Sequence, residues 1–476
     1  MEAVTKLLEE SSKTLGESSK QGEDCPRGER GRFRMGYIRG EAREQVTMFP
    51  VTLDELIPAD HLCRVIEAFI DRLAMAQLGF VRAEPAETGR PGYDPRDLLK
   101  LYLYGYMNQV RSSRRLQAEC QRNVEVMWLL GRLQPDYKSI AEFRRMHSAA
   151  VTEAGTELVA FAGSVGLVGG ATVAVDGSKF RAVSSAQRVR ERDAVKRYLE
   201  QLDLADEQEE WVVEPSAVAA ALEKLKQDPE PEARFMRTTE GKRPAYNVQT
   251  AVDTEHGLIV AQKVTTESND QRSLLPMAEA AKQALGDPVS LHVVADTGYS
   301  NGEQAQACEA QGILPHVPAR RSVNNRGDGS LFDRSQFIYD EKTDSFRCPA
   351  QQILRRQQTQ PHPKRVVYVA SAQACGSCGL KSQCTNSPQR FVQRHLYEGA
   401  LQRMQQRASA EMMRLRRCSV EHPFAALKYH ILGHPRFLLR GVVGAQAEMS
   451  LATLAYNLQR MLKVLGGVAF RAALAA

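Results

Sequence analysis

From Leu158 to Val175 the chain carries no charged side chain, and the residue that ends this run is Asp176. A run of this length just reaches what a membrane helix needs. Four glycines interrupt it, at 163, 166, 169 and 170. The pattern therefore predicts a helix that stops near Gly169-Gly170, followed by a strand over ATVAVDGSKF. A carboxylate at the end of a buried strand is costly unless it is paired or bound to metal. The stretch LHVVADTGYSN repeats the arrangement with Asp296. Each aspartate is followed by glycine, directly or after one residue, so the backbone can turn sharply there. Taken singly, a turn-forming aspartate at a strand end fits as well.

The text before Asp176 is helical. Pro58 and Asp60 open a helix with apolar residues at 62, 65, 66, 69, 70 and 73. DLLKLYLYGYMNQV follows as an apolar, aromatic helix. Ser113 is placed to cap the next one, with Arg114 and Arg115 in its first turn. Ser139 and Glu142 have capping-box spacing for a further helix bearing Arg144, Arg145 and His147. Short helices with arginines near their starts fit a DNA-binding region of the helix-turn-helix kind. They equally fit a solvated bundle with ordinary surface arginines.

After Asp176 the periods alternate. Residues 186–230 read as a charged helical excursion. AYNVQTAVDTEHGLIVAQKVT reads as two strands around Glu255-His256-Gly257, and Ser273–Leu285 as a helix. LHVVADTGYS is a third strand, then comes a helix from about Asn301 and a short strand ILPHVPA. This order predicts a mixed sheet flanked by helices. Residues 321–400 are polar and interrupt it, and helix returns from about Leu401.

At 476 residues the chain has room for two to four units, and its composition is that of an ordinary globular protein. The net charge of +6 only leans towards a polyanionic partner. The first thirty residues lack an apolar block and read as a disordered arm, not a signal peptide. With nine cysteines and no export signal, reduced thiols or metal ligands are expected, and a cytoplasmic place.

A third carboxylate, Glu421, lies in RRCSVEHPFAALKYH. On a continuous helix Arg414, Arg417, Glu421, Phe424 and Lys428 fall on one stripe, provided Pro423 does not break it. A carboxylate among cations suits a metal site beside a phosphate backbone, while a solvated face with ion pairs is the plainer alternative. Here the chain resembles bacterial insertion-sequence transposases of the DDE type, which have an RNase H-like catalytic core. SVEHPFAALKYHILGHPRFLLRGVVGAQAEMSLATLAYNLQRML is similar to the end of that core. The group's signature runs Tyr, two residues, Arg, three residues, Glu, six residues, Lys. Arg417, Glu421 and Lys428 stand at those spacings, with Arg414 in place of the tyrosine and Ala425 where glycine is usual. VDGSKF and VVADTGYSN resemble the blocks of the first and second catalytic aspartates. RPGYDPRDLLKLYLYGYMNQVRSSRRLQAE and LQPDYKSIAEFRR resemble the N-terminal helical domain.

The resemblance implies an all-α DNA-binding domain over 45–160 after an arm over 1–44. An α/β core would begin over 161–320, with a helical insertion at 186–232. A cysteine-bearing insertion at 321–400 and closing helices over 401–476 complete the division. Asp176, Asp296 and Glu421 become ligands of Mg²⁺ or Mn²⁺. Two divalent ions about 3.5–4 Å apart would activate water and stabilise the leaving oxygen. The freed 3′-hydroxyl would then attack target DNA. Arg414, Arg417, Lys428 and the helical-region arginines 114, 115, 144 and 145 would hold phosphates. Partners would be double-stranded DNA with terminal inverted repeats and a second copy of the chain. Rival readings are a structure-selective nuclease on the same core and a non-catalytic, transposase-derived DNA-binding regulator.

Cys375-x-x-Cys378, with Cys384 and Cys348, has the spacing of a four-thiolate zinc site. The segment looks too polar to build its own core, so zinc would serve to stiffen it. The alternative is four reduced cysteines in a polar insertion.

Overall fold

A computed structural model describes residues 52–84, 92–206, 215–318, 331–360 and 364–476. The arm expected over 1–44 lies outside the described residues. The apolar period after Leu62 forms α1 (Leu62–Asp71), which buries Val65, Ile66, Phe69 and Ile70. Its cap is His61, not Pro58 or Asp60: the His61 ring accepts the Cys63 amide. Then come α2 (Pro95–Met107), α3 (Ser113–Arg122), α4 (Val124–Leu129), α5 (Tyr137–Met146) and α6 (Ser148–Ser164). Two expected caps differ. Ser112, not Ser113, occupies the cap position of α3 and makes no side-chain bond there. Asp136 caps α5, accepting the Lys138 and Ser139 amides, so the Ser139–Glu142 box is not used. The uncharged run is divided sooner than Gly169: α6 ends at Ser164, and Gly166 turns the chain at φ 75°.

Among the described residues no helix is long and apolar enough to cross a membrane.

The first sheet is built from β1 (Thr172–Arg181), β2 (Arg234–Thr238), β3 (Gly241–Asp253), β4 (Ile259–Thr265), β5 (Leu291–Val294) and β6 (Ile313–His316). The excursion between β1 and β2 holds α7 (Ala186–Asp206) and α8 (Pro215–Lys226). The helix α9 (Leu274–Ala284) precedes β5, and α10 (Gly302–Ala310) precedes β6. The order is β6-β5-β1-β3, with β2 and β4 both paired to β3. β1 runs antiparallel to β3 and parallel to β5. The sheet is therefore mixed, and the uniform burial of Pro244–Asp253 shows that β3 is covered on both faces.

The interrupting segment is a second sheet, which the sequence reading did not foresee. β7 (Ile338–Asp340), β8 (Ser345–Arg347), β9 (Ile353–Gln360), β10 (Arg365–Val369) and β11 (Phe391–His395) pair as an antiparallel meander. Two short helices, α11 (Ala372–Gly376) and α12 (Lys381–Cys384), lie between β10 and β11. Contrary to expectation the segment does build a core, with Phe337, Phe346, Leu354, Val366, Tyr368, Ala370 and Val392 buried.

The chain ends in α13 (Glu398–Arg407), α14 (Ala410–Ala425), a π-helical turn over Ala426–Ile431, α15 (Gly441–Leu465) and α16 (Gly467–Ala475). α15 packs on α6 and α2 and also on β4, joining the helical region to the sheet within one compact unit, Thr52–Ala476. Two of its side chains make the join specific. Asn457 accepts the Ile259 amide at 2.9 Å and donates to its carbonyl at 2.8 Å. Glu448, fully buried, receives Arg111 at 3.3 Å and the backbone amides of Leu438, at 2.6 Å, and Leu439. Burial raises the Glu448 carboxyl above its ordinary range, against the pull of Arg144 and Arg111.

His147 is held neutral. Its Nδ1 lies 2.8 Å from the Phe143 carbonyl, and its Nε2 accepts the Val81 amide at 3.0 Å. Burial lowers its pKa. Stability from this group is complete above the unfolded value of about 6.5. It is lost as pH falls towards the depressed folded value, because the unfolded chain takes up the proton first. Denaturant midpoints should therefore drop between about pH 7 and pH 5, and drop less in His147→Gln.

Candidate functional site

Asp176 stands midway along β1, opposite Thr250 of β3. Asp296 follows β5, the parallel neighbour of β1, and caps a short 3₁₀ turn by accepting the Gly298 amide at 2.8 Å. Parallel pairing thus brings the two carboxylates to one region of the sheet. They share a cation. Arg416 Nη2 of α14 lies 2.6 Å from Asp176 Oδ1 and 3.7 Å from Asp296 Oδ2. Burial pushes the Asp176 carboxyl up to about 6, against the pull of Arg416.

A third carboxylate lies close by, and it is not Glu421. Asp270, in the turn between β4 and α9, accepts from Asn247 and Gln249 at 2.7 Å each and from Lys179 at 3.2 Å. The Tyr299 hydroxyl donates to the other end of the Gln249 amide. The two glycines after the aspartates make room for this network. A β-carbon at 177 would lie 2.6 Å from Asp270 Oδ1, and one at 298 would lie 2.9 Å from Asp296 Oδ1. Burial and the charges of Asp270, Asp176 and Asp296 together hold the Tyr299 phenol well above its ordinary pKa.

Glu421 sits at the right level of α14 but on its outer side. Val420 packs with Ala174 and Val294, and the Phe424 ring lies 6.4 Å from that of Phe180. The stretch of helix abreast of Asp176 is therefore the one containing Glu421. Its side chain is exposed and makes no hydrogen bond or ion pair with either aspartate. The expected stripe is also divided: Arg414 and Arg417 are exposed, Phe424 is buried, and Pro423 lies within the helix, not at its start. Lys428 follows in the π-helical turn, its Nζ 5.5 Å from the Phe180 ring centre. Burial lowers its pKa, and Asp176 pulls the other way.

Of the helical-region arginines, 114, 115 and 145 are exposed. Arg114 lies 5.2 Å over the Tyr137 ring, and Arg145 is 3.6 Å from Glu142. Arg144 departs from expectation. It is 6% exposed, donates to the Arg111 carbonyl at 3.1 Å and stacks on Tyr102, so it braces the interior and does not face a duplex.

All four cysteines line one cavity at the end of the second sheet. The Gln352 amide donates to Cys348 Sγ at 3.3 Å. Burial raises the Cys384 thiol, and the other three cysteines push the same way. Among the described residues, one trio of metal-ligating side chains has its ligand atoms all within 4.8 Å of one another, and it is a different one: His61, Cys63 and Glu125. That trio is internally satisfied. Tyr104 donates to Glu125 at 2.7 Å, and burial pushes the Cys63 thiol up to about 12. Nothing in the spacing of those three residues marked them.

Two family models match the chain. Residues 51–146 match a transposase domain (DUF772), and residues 171–458 match the transposase DDE domain. No match is found among curated proteins. Among solved structures, the piggyBac transposase synaptic complex with hairpin DNA aligns over 87% of this chain and 78% of that one. The identity is 8% and the TM-score 0.31, too slight a likeness to argue from. The DDE match covers more than half of the sequence and includes both aspartates and the helix of Arg416. The chain belongs to the DDE transposases, with the RNase H-like core and helical N-terminal region of an insertion-sequence enzyme.

Proposed function

We propose that this chain cuts phosphodiester bonds at the ends of an insertion sequence and joins the freed 3′-hydroxyl to target DNA. One observation carries the reading: carboxylates from two parallel strands, Asp176 and Asp296, both approach a single cationic nitrogen. A place where a guanidinium stands between two carboxylates is one where a divalent cation fits, and hard oxygen donors suit Mg²⁺ or Mn²⁺. Such ions activate the attacking oxygen and stabilise the leaving one. The chain's own groups supply the rest. Asp176 and Asp296 are the ligands, and Glu421, level with Asp176 on α14, adds the third when its side chain turns inward. Arg414, Arg417 and Lys428 hold backbone phosphates, and 114, 115 and 145 extend the contact over the helical region. Each phosphate bound makes affinity fall with salt. Two DNA ends must be held together, which calls for a second copy of the chain.

Plasmid assays that score excision and integration separately test this reading. Both products are expected. Excision without integration would point to the nuclease, and DNA binding without cleavage to the regulator.

We also propose that Cys348, Cys375, Cys378 and Cys384 hold a structural zinc ion. The support is four thiols from two separate connections meeting at one cavity, although their sulfurs stand farther apart than in a closed tetrahedral site. Protein dialysed against buffer should keep about one zinc per chain, and Cys378→Ser should lose it. Metal-free protein with an intact second sheet would refute the assignment.

A further inference from the structure

The cleavage scheme gives Arg416 no part, yet it is the cation best placed in the site. Its side chain is 14% exposed, and its Nη2 meets both aspartates. Its Nε is buried with no hydrogen-bond partner. The described residues offer the head group no ion-pair partner besides those two carboxylates.

We infer that Arg416 is the resident cation of this site. It holds Asp176 and Asp296 in convergence and yields its place to a divalent ion when a DNA phosphate draws the guanidinium away. The inference rests on the reading of these two aspartates as metal ligands.

Three physical points support it. First, Asp176 Oδ1 at 2.6 Å from Nη2 is engaged, and a dication at the same oxygen would face a positive charge at contact distance. Arginine and ion therefore exclude each other. Second, the guanidinium fork binds phosphate as readily as carboxylate, and does so with two parallel hydrogen bonds. A phosphate gripped through Nε and one Nη would satisfy the donor now left unpaired. Third, phosphate is delivered nearby, because Arg414 and Arg417 flank Arg416 on the exposed side of the same helix. Arg416 was hidden in the sequence by these neighbours. Only the phase of α14, set by Val420 and Phe424 against β1, turns it inward.

The consequence is linkage. DNA that removes the arginine strengthens metal binding, and by reciprocity metal strengthens DNA binding. Without DNA the site is shielded from stray cations.

Mn²⁺ binding to the full chain, followed by the electron paramagnetic resonance of the free ion, tests this without any reaction. The measurements are made with and without a short duplex of arbitrary sequence. Arg416→Met keeps the stem and removes the charge, and circular dichroism confirms its fold. Without DNA, Arg416→Met is expected to bind Mn²⁺ at least about tenfold tighter than wild type. Duplex should tighten binding to the wild type and change the variant little. Equal or weaker binding by the DNA-free variant overturns the inference, as does an equal DNA response in both proteins. Adding Asp176→Asn to the variant should abolish the gain. If the double variant binds as well as Arg416→Met, the metal-ligand reading of Asp176 fails instead.

Discussion

Asp296→Asn is expected to leave the protein folded and able to bind DNA, while strand cleavage falls by about a thousandfold or more. The size follows from the several kcal/mol that a bound metal contributes to the transition state, at about 1.4 kcal/mol per tenfold. The substitution is nearly isosteric. An asparagine oxygen can still accept the Gly298 amide, so the 3₁₀ turn after β5 keeps its cap. Asp296 is also half exposed, so loss of its charge leaves no buried group stranded. What changes is the charge opposite Asp176, and with it the ability of the pair to hold a dication. Asp176→Asn should act as strongly. Cleavage of a labelled duplex carrying the element's end is the measurement. Activity within about tenfold of wild type would remove the site as assigned, since a lost ligand cannot cost so little.

Glu448→Ala should be the most damaging single change to stability, costing about 3–5 kcal/mol. The carboxylate is fully buried on α15 and is approached by Arg111, whose side chain is 10% exposed. Removing it strands that cation and leaves the Leu438 and Leu439 amides without their acceptor. Arg144, nine-tenths hidden, loses the pull of this countercharge as well. Glu448→Gln keeps an acceptor for the amides and should recover part of the loss. Urea unfolding followed by tryptophan fluorescence measures both. A cost below about 1 kcal/mol for the alanine would mean that the charges are better hydrated than their burial implies.

Much of the core was legible because its strands obey simple rules. The stretches around Asp176 and Asp296 are short apolar runs closed by a carboxylate and a glycine, and the structure pairs them in parallel. The residues that surround them were not legible. Asp270 lies in the polar turn ESNDQRS, and only the return of β4 beside β3 carries it under Gly177. Arg416 stands in a run of arginines whose inward member is chosen by helical phase. The second sheet escaped because most of its strands are only three to five residues long and its longest one is almost wholly exposed. β9, written ILRRQQTQ, has only Leu354 buried and gives no alternation to read. Arg144 looked like its neighbour Arg145 in the text. One faces the interior and the other solvent because α5 is buried along one side only.

Helix α2 ends at Met107, and the helix that covers it, α15, begins at Gly441. More than three hundred residues separate them. On a ribosome adding about 5–20 residues per second, that gap is roughly 20–70 seconds of translation. Throughout that interval the face of α2 that α15 covers is without its partner helix. A polypeptide broken off before Gly441 would carry Asp176, Asp296 and Glu421 but lack the helix that joins the helical region to the sheet. The fold is therefore completed only by a segment that is synthesised late.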